Sequence, residues 1–223
     1  MTHITLVRHG QANTQARDEV AYDRLSDLGH RQAEWLGAHL RDGGPPHTRV
    51  YCGTLRRHRE TAAAMGVDAD IVTDARLNEL EYFTLAQALH AQKGVLLPQS
   101  REDFVSHLPQ VFSAWEADEI ADPPETWGAF TDRIGAVLDE IAEGDGPALV
   151  VTSGGLIAMA MRRALGLDTP ATARLALAIM NTSVHRRLRI GGAWTPVPFS
   201  AVPHLGPPDR SFAPTRRWGP DEA

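Results

Sequence analysis

The most constraining feature of the chain is a recurrence. Three short apolar runs each break off into a polar cluster and then into a segment patterned as a helix. Ile4-Thr-Leu-Val7 ends at Arg8-His9-Gly10. Arg49-Val-Tyr-Cys52 ends at Gly53-Thr54, followed by Arg56 and Arg57. Ala148-Leu-Val-Val-Thr152 ends at Ser153-Gly154-Gly155. Strands alternating with helices predict an α/β fold, a three-layer sandwich with a largely parallel central sheet and helices on both faces. Ligands of such sheets bind outside the carboxyl ends of the strands. The three clusters are therefore the first place to look for chemistry.

Helix signals fill the spaces between. Ser26 suits an N-cap, and Leu28, Ala33, Leu36 and Leu40 then recur on one side until the Asp-Gly-Gly-Pro-Pro run at 42–46. Thr54 is expected to cap a helix reaching about Met65, with Leu55, Ala62 and Met65 turned inward. Residues 11–24 read as a loop, and Ile71-Val-Thr73 as a further short strand. Between 80 and 126 strand signals vanish. Leu108, Val111, Phe112 and Trp115 fall at helical spacing, so this stretch is expected to be a small helical cap insertion. Trp127, Phe130, Ile134, Val137, Leu138 and Ile141 mark an amphipathic helix that Gly144 and Gly146 end. A helix is expected over 156–165, an outer strand over 183–190 and a return strand over 193–199. His185, Arg187 and Arg189 alternate on one face of that outer strand and are expected to meet solvent. The chain thus reads as one domain over 1–205, with a Pro- and Gly-rich tail at 206–223 expected to be mobile or loosely docked.

Composition excludes several classes. A single cysteine, Cys52, rules out a disulfide framework and a multi-thiolate zinc site. The ten histidines include no His-Glu-x-x-His and no tight cluster, so neither a metal nor another cofactor is expected. A net charge of −6 argues against nucleic acid as a partner. No apolar run approaches the roughly 20 residues of a membrane helix, and the first residues lack the pattern of a signal peptide. A cytoplasmic location without membrane attachment is the expectation. Nothing in the pattern indicates an oligomeric state.

Each cluster offers a specific chemistry. Arg8-His9-Gly10 sets a permanently charged donor fork beside an imidazole able to act as nucleophile or acid/base. Arg57 and Thr61 lie one turn apart at a helix start, where free N–H groups and guanidinium attract an anion; Arg56 and Arg59 point elsewhere. Ser153-Gly154-Gly155 suits either a tight strand–helix turn or a backbone nest for phosphate. Ser153 lacks the Gly-x-Ser-x-Gly setting of a nucleophile elbow. Glu79 and Glu81 precede the insertion. A carboxyl held near an anionic substrate has a raised pKa and can serve as a general acid.

The order of these clusters resembles one family. Leu6-Val-Arg-His-Gly10, Leu25-Ser-Asp-Leu-Gly29 with Gln32-Ala33, Leu55-Arg-Arg57 with Thr61-Ala62, Leu77-Asn-Glu79 and Val150-Val-Thr-Ser-Gly-Gly155 are similar to the motifs of the histidine phosphatase superfamily, the phosphoglycerate-mutase-like family. The resemblance spans about residues 4 to 190. It implies a phosphohistidine mechanism on phosphorylated small molecules, with His9 as nucleophile and Arg8 and Arg57 as phosphate ligands. It implies Glu79 as proton donor and Glu81 as the alternate. The family usually carries a second histidine in a Ser-His-Gly-Gly setting, and Ser153 stands there instead. With Gly154, Ser153 is expected to bind phosphate. After Gly10 the run Gln11-Ala-Asn-Thr14 also departs from the family, and Asn13 is its nearest match to the usual asparagine. The resemblance therefore implies a phosphomonoester hydrolase. A weakly active or inactive phospho-ligand binder is the alternative that Ser153 motivates, and a phosphomutase is the third.

Overall fold

In the computed structural model, residues 3–13, 15–43, 47–206 and 209 are described. The chain runs β1 (His3–Arg8), α1 (Glu19–Tyr22), α2 (Asp27–Asp42), β2 (Arg49–Cys52), α3 (Arg56–Ala64), β3 (Ile71–Thr73), α4 (Tyr82–Lys93), α5 (Arg101–Glu116), α6 (Trp127–Glu143), β4 (Ala148–Thr152), α7 (Gly154–Leu165), α8 (Thr169–Ala178), β5 (Val184–Ile190) and β6 (Ala193–Pro196). Side-chain alternation along the strands sets the layers. β1 turns Ile4 and Leu6 into one apolar cluster and Val7 into a second. β4 divides the same way, Ala148 and Val150 against Leu149 and Val151. Successive residues leave a strand on opposite faces. A strand buried along its whole length, as β4 is, must therefore be covered on both sides.

The strands form one sheet in the order β3-β2-β4-β1-β5-β6. β2 pairs parallel with β3 and β4, and β4 parallel with β1, while β5 is antiparallel to β1 and β6. The architecture is thus α/β with a mixed, mostly parallel sheet. Ala33 and Leu36 of α2 and Ala62 of α3 cover one face with Met65. α6 and α7 pack in the larger cluster on the other face, together with the inserted α4 and α5 and with α8. Helix starts follow the capping signals. The Ser26 hydroxyl accepts from Gly29 N–H at 3.1 Å, and Ser100 and Asp103 form a capping box on α5.

Several expectations need correction. Thr54 does not cap α3. The helix starts after Leu55, and the Asp23 carboxylate accepts from the N–H groups of Arg56 and Arg57 at 2.9 and 3.1 Å. Two orphan donors thus find their partner in the loop over 11–24, which itself holds the short α1. α8 was not anticipated, although Asp168 caps it through Ala171 N–H and a proline follows at the helix start. The segment 183–190 is not an outer strand, because β6 pairs beyond β5. Hence His185 and Arg187 are buried, and only Arg189 of that trio is exposed. Backbone N–H of Ser200 donates to His185 Nδ1, Nε2 meets Ser183 Oγ, and Phe199 lies against the ring. Arg187 stacks on Trp194 at 4.9 Å. The return strand stops at Pro196. Apart from Gly206 and Asp209, the tail 206–223 lies outside the described residues, as do positions 44–46.

α2 and α3 approach each other so closely that Gly37 is required between them. A Cβ at Gly37 would overlap the Met65 carbonyl, a backbone group that cannot swing aside. Gly37→Ala should cost about 1–3 kcal/mol by overpacking. In a chain of this size that is a fall of roughly 2–12 °C in thermal midpoint, measurable by circular dichroism.

Candidate active site

Parallel pairing aligns the carboxyl ends of β1, β2 and β4. Arg8 is in register with Thr152, and Cys52 with Val151. His9 and Ser153 therefore leave the sheet side by side. His9 is pinned at its backbone, donating to Thr152 O at 2.8 Å and accepting from Asn181 Nδ2 at 3.1 Å. Gly10 N–H donates to Thr61 Oγ1 at 3.0 Å, and that hydroxyl donates to Arg57 O at 2.7 Å. One hydroxyl thus fixes α3 against the loop after β1. Gly10 and Gly29 let that loop lie on the start of α2, since a Cβ at either would collide with the other segment's backbone.

Arg8, His9, Glu19, Tyr22, Arg57, Glu79 and Gly154 line a cavity of about 120 Å³. Gly155 and an apolar set complete its wall: Leu80, Phe83, Phe104, Leu108, Phe112 and Ala176, with Tyr82 beside them. A wider groove adjoins it and shares Glu19, Arg57, Glu79 and Leu80. The cap helices thus supply the hydrophobic side of the cavity and the strand ends its charged side.

His9 has one oriented nitrogen. Its Nδ1 lies 2.7 Å from Gly10 O. A carbonyl only accepts, so Nδ1 carries the hydrogen and Nε2 keeps its lone pair. Burial, then Arg57 and Arg8, push the imidazole well below its usual pKa, which holds it neutral. Arg8 and Arg57 are 3% and 2% exposed. Arg8 Nη1 donates to Ile179 O at 2.6 Å, and Arg57 Nη1 to Asp23 Oδ1 at 3.0 Å. Both Nε atoms are buried without a protein partner. Burial pulls the Arg8 guanidinium below its ordinary range, while Tyr22 and Glu79 pull it back up. Tyr22 lies under the Arg57 guanidinium at 5.1 Å and edge-on to His9 at 6.1 Å.

The carboxylates differ in their settings. Glu79 Oε2 accepts from Gly155 N–H at 2.8 Å and Oε1 from Leu80 N–H at 3.0 Å. Gly155 is therefore not a free donor for phosphate, and a Cβ there would strike Glu79. Glu81 is exposed, accepts from the Thr84 hydroxyl at 3.1 Å and lines the wider groove instead. Asn13 lies outside the cavity lining. Its amide donates to Ala21 O, and its Oδ1 accepts from Gln15 N–H. Ser153, expected to bind phosphate, is fully buried and outside the cavity lining, with Oγ 2.6 Å from His58 Nε2. Among the described residues no group of three or more His, Cys, Asp or Glu is placed to hold a metal, and no helix is long and apolar enough to cross a membrane.

Sequence reading missed Glu19, Tyr22, Asp23 and His58. The first three sit in a polar stretch without periodicity, and tertiary packing alone carries them to the cavity. His58 was visible as the residue after Arg57.

A neutral imidazole and two buried guanidinium groups thus line one cavity beyond the carboxyl ends of parallel strands. The family follows from sequence: residues 4–199 match the histidine phosphatase superfamily (branch 1), and the chain belongs to it. Solved structures share the fold. A mutant phosphoserine phosphatase from Entamoeba histolytica, in complex with phosphoserine, superposes with a TM-score of 0.69 at 15% identity, over 92% of this chain and all of the other. The phosphoglycerate mutase of Bacillus anthracis gives 0.66 at 23% identity, over 91% and 94%. Mycobacterial glucosyl-3-phosphoglycerate phosphatase, in complex with inorganic phosphate, gives 0.63 at 22%, over 92% and 99%. No curated protein sequence matches the chain.

Glu19 carries a pH signature. Burial raises its carboxyl from the ordinary 4.5 to about 7, against the lowering pull of Phe83 N–H and Arg57. Folded protein then keeps a proton that the unfolded chain releases, so stability falls as pH rises between those values. Glu19→Gln cannot ionise. Relative to it, the wild-type thermal midpoint should match below pH 4.5, decline from there to about 7, and stay level above. A constant difference across that range would reject the buried carboxyl.

Proposed function

We propose that the protein is a phosphomonoester hydrolase working through a phosphohistidine on His9. The observation that carries this reading is the orientation of His9. Nδ1 is committed to Gly10 O, leaving Nε2 as a lone pair in a cavity with two arginines. Phosphoryl transfer depends mainly on positioning and on charge. His9 Nε2 attacks phosphorus in line, and the P–O bond to the organic group breaks. Arg8 and Arg57 hold the equatorial oxygens through donors that include their unpartnered Nε atoms. Glu79 gives its proton to the leaving oxygen. It then takes one from the water that cleaves the P–N bond, and phosphate leaves. Glu79 lines the cavity and Glu81 does not, which favours the former as donor. Gly154, which lines the cavity, adds a backbone N–H donor at the start of α7.

The cavity wall favours a compact apolar organic group. Phe83, Phe104, Leu108 and Phe112 give the cavity an apolar wall beside Arg8, His9 and Arg57. The charged residues beyond Arg8 and Arg57 are the acids Glu19 and Glu79. A phosphoglycerate would set its carboxylate against them, so a mutase reading fits less well. Mass spectrometry of protein quenched during turnover should place phosphate on His9. His9→Ala should lose label and at least about 10³-fold in rate, as removal of a nucleophile does. Phenyl phosphate should exceed 3-phosphoglycerate about tenfold or more in kcat/KM, since only the former buries its organic part. Label-free turnover unchanged in His9→Ala would reject the mechanism. A folded protein that binds phosphate but hydrolyses no phosphomonoester would leave the binder reading instead.

A further inference from the structure

One aromatic ring at the site belongs to neither apolar cluster. Tyr22 ends α1, a four-residue helix without a buried side chain, yet it lines the cavity together with Arg8, His9 and Arg57. Three contacts fix the ring. It lies under the Arg57 guanidinium at 5.1 Å, edge-on to His9 at 6.1 Å and edge-on to Phe83 at 6.0 Å. The surrounding backbone is pinned as well. Ala21 O accepts from the Asn13 amide at 3.0 Å, Ala21 N–H donates to Asp18 at 2.7 Å, and Glu19 Oε1 accepts from Phe83 N–H at 2.8 Å. A short polar loop thus holds one tyrosine at the junction of the charged and apolar walls.

The two ends of this side chain meet different guanidinium groups. Burial lowers Arg8, and the Tyr22 hydroxyl, hydrogen-bonded to it, works the other way. A guanidinium only donates, so the phenol oxygen accepts there and keeps its own hydrogen to donate. Arg8 Nη1 is taken by Ile179 O, while its Nε is unpartnered. An oxyanion seated on Arg8 therefore lies beside the same hydroxyl. The ring end serves Arg57. Its face lies under that guanidinium, and the next residue, Asp23, holds Nη1 at 3.0 Å. Two successive residues thus grip Arg57 by face and by edge.

We infer that Tyr22 is a further catalytic residue: its hydroxyl, accepting from Arg8, donates to a non-bridging oxygen of the phosphoryl group that His9 attacks, and its ring holds Arg57 in the orientation that meets the other oxygens. The inference rests on the phosphohistidine reading for its setting and adds a neutral donor to two charged ones. Charge in phosphoryl transfer is spread over the equatorial oxygens, so a third fixed donor stabilises it in the transition state. No covalent step is added, and the phenol keeps its proton throughout.

The test separates hydroxyl from ring. Tyr22→Phe removes only the hydroxyl, and Tyr22→Leu removes the ring as well. Because the side chain lies outside both core clusters, Tyr22→Phe should keep the circular dichroism and thermal midpoint of wild type. It should weaken inorganic phosphate binding about 10–100-fold in calorimetry, as loss of a hydrogen bond to a charged group does, and lower kcat on phenyl phosphate by a similar factor. Tyr22→Leu, if folded, should lose about threefold or more beyond that, since Arg57 also loses its stacking partner. A ring kept only for packing predicts a Tyr22→Phe that binds and turns over as wild type does, and that result overturns the inference. So does a Tyr22→Phe that binds phosphate normally and loses only kcat, which would place the hydroxyl on the leaving oxygen. Phosphate binding needs no turnover. If wild type hydrolyses through His9 and Tyr22→Phe is unchanged, the inference falls by itself. If wild type hydrolyses nothing yet Tyr22→Phe loses phosphate affinity, the hydrolase reading falls and Tyr22 stands as a phosphate ligand. A wild type that binds no phosphate ends both.

Discussion

Two guanidinium groups buried beside one imidazole are the interaction on which the rest depends. Removing an ion from water costs several kcal/mol even after relaxation. Arg8 and Arg57 are both almost wholly buried, and each has an Nε without a protein partner. Such an arrangement persists only where surrounding structure over-determines it. Arg8 is the last residue of a central strand and donates to Ile179 O. Arg57 lies in the first turn of α3, and the Asp23 carboxylate grips both its backbone and its side chain. The same positive field keeps His9 neutral, and a neutral imidazole is the form that can attack.

Glycines make the convergence sterically possible. Gly10 and Gly29 let the loop after β1 lie on α2, and Gly155 lets Glu79 reach the first turn of α7. Gly53 leaves room for His58. Each is demanded by a close approach rather than by backbone freedom, since none has a positive φ. Asn78 adds a second lock: its Oδ1 accepts from Thr54 and Leu55 N–H, tying the approach to Glu79 onto the turn before α3. Acid, guanidinium and imidazole thus belong to one rigid constellation.

Much of this was legible in the chain. Apolar runs marked β1, β2 and β4 because buried parallel strands need apolar residues on both faces, and helical spacing marked α2, α5 and α6. Arg8, His9, Arg57 and Glu79, singled out by their place in the sequence, do meet around one cavity. Other features depend on partners that local patterns do not encode. His185 and Arg187 looked solvated because polar residues alternated there, yet β6, Trp194 and Phe199 cover them. Thr54 looked like a cap, but Asp23 arrived from a stretch without periodicity. His58 read as one more polar residue on a basic helix, and only its contact with Ser153 sets it apart.

Charge balance within the cavity ties these elements together. Arg8 and Arg57 bring two positive charges, and Glu19 and Glu79 bring two carboxyls. Were both acids ionised, their field would oppose the dianion of a phosphomonoester. Burial raises Glu19 to about 7, so near neutral pH it carries less negative charge than an ordinary carboxyl. Glu79 is held instead by two backbone N–H groups, one from the first turn of α7, so its position is fixed by the fold rather than by the ligand.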